Sequence, residues 1–129
     1  MGEGSKQMND NVSRLENVHN PLQTDAKKVL CVCSAGMLRS DTAAKLIWKK
    51  YGYNTRSCGI ADYCLIPFDE VLATWADEIV VADTEHVKTV KDMLKELGLD
   101  TPIQCLRLPD NYPWMAERLQ EMILKSYIP

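Results

Sequence analysis

From Lys27 onward, short apolar runs alternate with segments in which apolar residues recur every three or four positions. The first run, Val-Leu-Cys-Val-Cys over 29–33, is apolar at every position, as a strand covered on both faces requires. Ala43, Leu46, Ile47 and Tyr51 then repeat at helical spacing, and Gly52 stands where that helix would end. A second strand is predicted at about 54–58, closing at Gly59. Phe68, Val71, Leu72 and Trp75 mark one face of a helix that Pro67 can begin. Residues 79–82 read as a third buried strand. Val87, Val90, Leu94 and Leu97 stripe the next helix, and Gly98 ends it. Residues 103–108 read as a fourth strand, followed by a helix carrying Met115, Leu119, Met122 and Ile123.

Strands that alternate with helices imply a parallel sheet with helices on both faces, because each parallel connection needs a crossover. In such an open α/β sheet, ligands sit beyond the carboxyl ends of the strands. Residues 1–26 break the pattern. They are polar, with Val12, Leu15 and Val18 the spaced apolar set, and read as a flexible tail before one domain over 27–129. A chain of 129 residues suits one domain.

Charge and cysteine usage narrow the function. Fifteen Lys and Arg against 18 Asp and Glu leave a net charge of −3, which gives no reason to expect a nucleic-acid or anionic-membrane partner. Any anion site must be local. No apolar stretch approaches the roughly 18 residues of a membrane span. Five cysteines, an odd number without a signal peptide, favour free thiols and a cytoplasmic location. No cysteine pair has the C-x-x-C spacing of a zinc site and only His19 and His86 could assist, so neither a metal nor another cofactor is expected.

The informative segment is Cys33-Ser34-Ala35-Gly36-Met37-Leu38-Arg39-Ser40-Asp41, between a buried strand and a helix start. A loop of small residues there can turn successive backbone N–H groups of Ser34, Ala35, Gly36, Met37 and Leu38 into one concavity, to which the helix adds its own unpaired N–H groups. A phosphate would fit. Cys33 at its floor is placed as a nucleophile, Arg39 offers a planar fork for two phosphate oxygens, and Ser40 can donate to the Cys33 sulfur. The plainer alternative is a Cys ending a strand, a solvated Arg and a Ser helix cap.

These residues resemble the low-molecular-weight protein tyrosine phosphatases, and more closely their small bacterial and viral relatives. Beyond the loop, Thr55-Arg56-Ser57-Cys58-Gly59 is similar to the family's second-strand R-S-A-G. Trp75-Ala76-Asp77-Glu78-Ile79-Val80-Val81 resembles its W-A-D-x-I-x-V, and Leu108-Pro109-Asp110-Asn111-Tyr112 its I-P-D-x-Y. The resemblance implies a four-stranded parallel sheet ordered 2-1-3-4 and a phosphatase acting on phosphotyrosine or a small aryl phosphate through a phosphocysteine. It also implies that Asp110 is the general acid; Asp62 and Asp83 are the aspartates to test next if Asp110 is not. Tyr112 and Trp114 are expected at the mouth of the site, as substrate-lining or as packing residues, and His86 is read as structural.

The loop departs from the family's C-x-G-N-x-C-R-S-P. Ala35 replaces Gly, Gly36 replaces Asn, Leu38 replaces the second Cys and Asp41 replaces Pro. Gly36 can still take positive φ, whereas the Asn side-chain bonds are lost and Asp41 adds negative charge. Other readings of the loop are a phosphate-binding module without catalysis and the phosphocysteine carrier of IIB-type sugar phosphotransferase components. A thiol-linked arsenate reductase would further need a pair of relay cysteines.

Overall fold

The computed structural model describes residues 25–129. Strand β1 (Lys28–Cys33) lies in the middle of the sheet, which explains its unbroken apolar run. It pairs in parallel with β2 (Asn54–Gly59) on one side and β3 (Glu78–Val81) on the other, and β4 (Ile103–Cys105) adds to β3. The order is therefore β2-β1-β3-β4, the 2-1-3-4 arrangement that the resemblance implies. Among the described residues, four α-helices connect and close it: α1 (Arg39–Tyr51), α2 (Glu70–Trp75), α3 (Val87–Leu97) and α4 (Glu117–Ser126). A 3₁₀ turn over Thr84–His86 leads into α3. The tail read over 1–26 lies, but for its last two residues, outside the described residues.

Period-two alternation along the strands divides the core into two layers. Val29, Cys31 and Val80 face Ala43, Ile47, Leu119 and Ile123 of α1 and α4. Leu30, Val32, Ile79 and Val81 face Leu72, Ala73, Val90 and Leu94 of α2 and α3. Strand β2 is polar in sequence yet buried throughout, because its side chains find partners. Thr55 donates to the Ala44 carbonyl at 2.9 Å, Ser57 donates to Asp41 at 3.1 Å, and the Arg56 guanidinium lies 4.6 Å from the centre of the Trp75 ring. Gly52 and Gly98 end α1 and α3 in the left-handed conformation, as the periodicity predicts.

Three boundaries differ from the sequence expectation. Strand β4 stops at Cys105 rather than 108, because Arg107 takes φ 55° and turns the chain out of the extended state. Helix α4 begins at Glu117, since Met115 at φ 59° cannot be helical. Helix α2 is capped by Asp69, whose carboxylate accepts from the Leu72 N–H at 3.1 Å, while Pro67 bridges to Gly59.

The loop after β1 is pressed onto the end of β2. Gly36 has φ 77°, and a Cβ there would lie 2.7 Å from the Cys58 carbonyl carbon. A Cβ on Gly59 would meet the Ser34 oxygen at 2.5 Å and the Gly36 nitrogen at 2.8 Å. Two backbone bonds hold this approach: Ile60 N–H to the Cys33 carbonyl at 3.1 Å and Ala61 N–H to the Ser34 carbonyl at 2.9 Å. Replacing Gly59 with Ala forces backbone against backbone, so Gly59→Ala is expected to destabilise the fold by about 1–3 kcal/mol. Its urea midpoint should fall accordingly; a midpoint equal to wild type would mean that the loop yields without cost.

Candidate active site

Cys33 closes β1 at the carboxyl edge of the sheet and is 2% exposed. Its sulfur accepts the Gly36 N–H at 3.1 Å and lies 3.1 Å from the Ser40 hydroxyl, so the loop curls around the sulfur itself. When the sulfur is a thiolate, the Ser40 hydroxyl can only donate to it. Arg39 opens α1 and is equally buried at 2%. One Nη donates to the Leu108 carbonyl at 3.0 Å, the other is 3.6 Å from Glu85, and Nε is 3.5 Å from Asp110. The two carboxylates are exposed and belong to the segments following β3 and β4. Cys33, Ser34, Ala35, Leu38 and Arg39, with Tyr63 and Asp110 at the mouth, line a cavity of about 290 Å³.

The structure thus brings Cys33, Arg39, Ser40 and Asp110 together. Gly36 and Met37 also border a neighbouring apolar groove of about 370 Å³ shared with Leu38, Leu65 and Ile66. Trp114 borders this second groove and is not among the residues lining the cavity over Cys33. Its indole N–H donates to Asp41 at 2.7 Å, and Asp41 also accepts from Ser57. Of the two readings offered for Tyr112, packing is the one seen: it is half-buried against the layer of α1 and α4. The aromatic side chain that does line the cavity is Tyr63, 74% exposed in the loop after β2, which the sequence reading passed over. Of the substitute acids, Asp83 caps the 3₁₀ turn through the Thr84 N–H at 2.7 Å, and Asp62 faces a separate hollow beside Pro67.

His86 lies directly beneath the loop, fully buried. The Asp83 N–H donates to its Nδ1 at 3.1 Å, and a backbone N–H can only donate. The neutral ring therefore carries its hydrogen on Nε2, which is 3.0 Å from the Ser34 hydroxyl and 3.4 Å from Glu85. Elsewhere, burial pushes the Cys31 and Cys58 thiols far above the usual range, so these two are inert packing groups. All five cysteines are free, and no group of His, Cys, Asp and Glu suited to a metal ion occurs among the described residues. No described helix is long and apolar enough to cross a membrane.

No protein-family model matches the chain, and no curated protein sequence matches it. Solved structures do. Wzb from Vibrio vulnificus, in complex with benzylphosphonate, superposes with a TM-score of 0.60 at 16% identity, covering 76% of this chain and 90% of that one. The tyrosine phosphatase Wzb from Escherichia coli K30, in complex with phosphate, gives 0.61 at 16% identity over 78% and 93%. The YwlE arginine phosphatase from Geobacillus stearothermophilus gives 0.59 at 15% identity over 77% and 84%. The chain shares their fold across most of its own length and of theirs.

Burial, and secondarily the nearby Arg39 charge, hold the His86 pKa below its ordinary 6.5. As pH falls, the unfolded chain takes up this proton first. The stability carried by the neutral ring is therefore fully present above about 6.5 and is lost as pH drops from there through the folded-state value. Urea midpoints followed from pH 8 to pH 5 should show this decline in wild type. His86→Gln, which does not titrate, should lack that component; identical profiles would assign the acid sensitivity to other groups.

Proposed function

We propose that this chain is a cysteine-dependent phosphatase of the low-molecular-weight protein tyrosine phosphatase type, hydrolysing phosphotyrosine or a related aryl phosphate. One observation carries the reading: a strand-end sulfur, held between the Ser40 hydroxyl and the Gly36 N–H, and a buried guanidinium meet at one cavity at the carboxyl edge of a parallel sheet. The solved structures of like fold support it, since two are phosphatases by name and two hold a phosphate or a phosphonate. The exposed Tyr63 ring at the mouth suits an aryl substrate.

In the proposed reaction the phosphate oxygens take the loop N–H groups and the Arg39 fork, in place of the carboxylates that now face Arg39. The Cys33 thiolate attacks phosphorus and an S–P bond forms. The bond to the tyrosyl oxygen breaks, and that oxygen takes a proton from the Asp110 carboxyl. Water then attacks phosphorus and gives its proton to Asp110, while the S–P bond breaks. Ser40 donates to the sulfur as it leaves. No cofactor enters. Free thiols throughout the chain suit a reducing, cytoplasmic setting.

Aryl phosphates graded by leaving-group pKa test the assignment. Cys33→Ser should abolish turnover and keep phosphate binding, because the backbone cradle remains. Arg39→Lys should be severely impaired, an ammonium being unable to clamp two oxygens. Undiminished hydrolysis by the Ser variant would end the phosphatase reading. A radiolabelled phosphocysteine that forms but never turns over would point to a phosphoryl carrier instead. Asp110→Asn should slow poor leaving groups by about 10²–10⁴-fold and spare activated ones. An unchanged leaving-group dependence would place the acid elsewhere.

A further inference from the structure

We infer that the Ser34 side chain is itself a phosphate ligand, and that buried His86 is the positioning residue that aims its hydroxyl hydrogen into the cavity. This deepens the phosphate-site reading and rests on it. The inference follows from the direction of three hydrogen bonds. The Asp83 N–H occupies Nδ1 of His86 at 3.1 Å, which leaves the ring hydrogen on Nε2. That hydrogen points at the Ser34 oxygen 3.0 Å away, making the serine an acceptor toward the histidine. A hydroxyl that accepts on one side has its own hydrogen left to donate on another. Ser34 is only partly covered and lines the cavity beside Cys33 and Arg39, where an anion would be the acceptor.

The arrangement explains why an imidazole with 0% exposure is tolerated immediately beneath the loop. Both its nitrogens are satisfied, one by the chain that follows β3 and one by the loop. The Glu85 carboxylate lies farther off, 3.4 Å from Nε2, and also faces Arg39. A bound phosphate would take the Arg39 fork from Glu85 while His86 stayed in place. The Ser34 hydroxyl thus reaches the anion already oriented, from a segment that the Ala61 N–H pins at the Ser34 carbonyl at 2.9 Å.

Binding of inorganic phosphate, measured by titration calorimetry, separates this role from a structural one. Ser34→Ala is expected to weaken phosphate by about tenfold, the usual size of a neutral donor's bond to an anion. His86→Asn can keep the bond from Asp83 but is too short to reach Ser34, and should weaken phosphate several-fold. Adding it to Ser34→Ala should cost nothing more. His86→Gln, whose amide reaches the Nε2 position, should restore most of the affinity. Wild-type affinity in Ser34→Ala, or an equal cost of His86→Asn with and without the Ser34 hydroxyl, would overturn the inference and leave the phosphatase reading intact. Absence of phosphate binding by the wild type would remove the phosphate site and the inference with it. Should His86→Asn fail to fold, imidazole ¹⁵N shifts decide the point. A hydrogen on Nε2 that responds to phosphate in wild type and not in Ser34→Ala is expected, and a hydrogen on Nδ1 overturns the inference.

Discussion

A guanidinium with 2% exposure cannot stay charged inside a fold unless oxygen atoms replace the water it has lost. Arg39 meets that constraint with the Leu108 carbonyl and with two carboxylates from the segments that follow β3 and β4. Much of the local chain geometry serves this demand. Arg107 leaves the extended state, the Leu108 N–H takes the Ala82 carbonyl at 2.7 Å, and the Leu108 carbonyl is thereby turned onto the guanidinium. The buried carbonyl is a permanent partner, whereas the Glu85 and Asp110 side chains are more than 60% exposed. In the proposed reaction an oxyanion would replace these two carboxylates, so the cation would not be left uncompensated.

Most of the fold was legible because burial imposes period and punctuation. The apolar run of β1 identified a central strand, and Gly52 and Gly98 marked helix ends through the left-handed conformation that they adopt. The boundaries that moved, at Arg107 and Met115, are non-glycine residues with positive φ. Nothing in local propensity announces such residues, since tertiary contacts hold them there. Within the site, the loop residues were visible as a motif. Glu85 and Tyr63 were not, and His86 was read as structural, although all three follow strands at the carboxyl edge, where an open α/β sheet gathers its site.

The position of Trp114 has a cause of the same kind. Asp41, noted in the sequence as an unfavourable charge near an anion site, binds the indole N–H and the Ser57 hydroxyl together. Its negative charge is thus directed across the loop toward β2 and the segment after β4. A residue that reads in the sequence as damage to the loop instead ties β2 and the segment after β4 to the start of α1. Sequence order could place Trp114 near the site, but only the hydrogen-bond partner decides which side of the loop its ring covers.

The sheet also separates sulfur from sulfur. Cys33 points toward the layer of α1, whereas Cys58 belongs to the opposite layer behind the backbone. Cys31 shares the face of Cys33 but is two residues back along an extended strand, about 6.6 Å between Cα atoms and at the outer limit for a disulfide. Leu38, in the loop between Cys33 and Arg39, carries no sulfur. An oxidant that converts Cys33 to a sulfenic acid finds Cys58 behind the sheet and Cys31 at the limit of reach, and oxidation beyond that stage to sulfinic and sulfonic acids is one-way. An anion lying over the Cys33 sulfur would shield it from that loss.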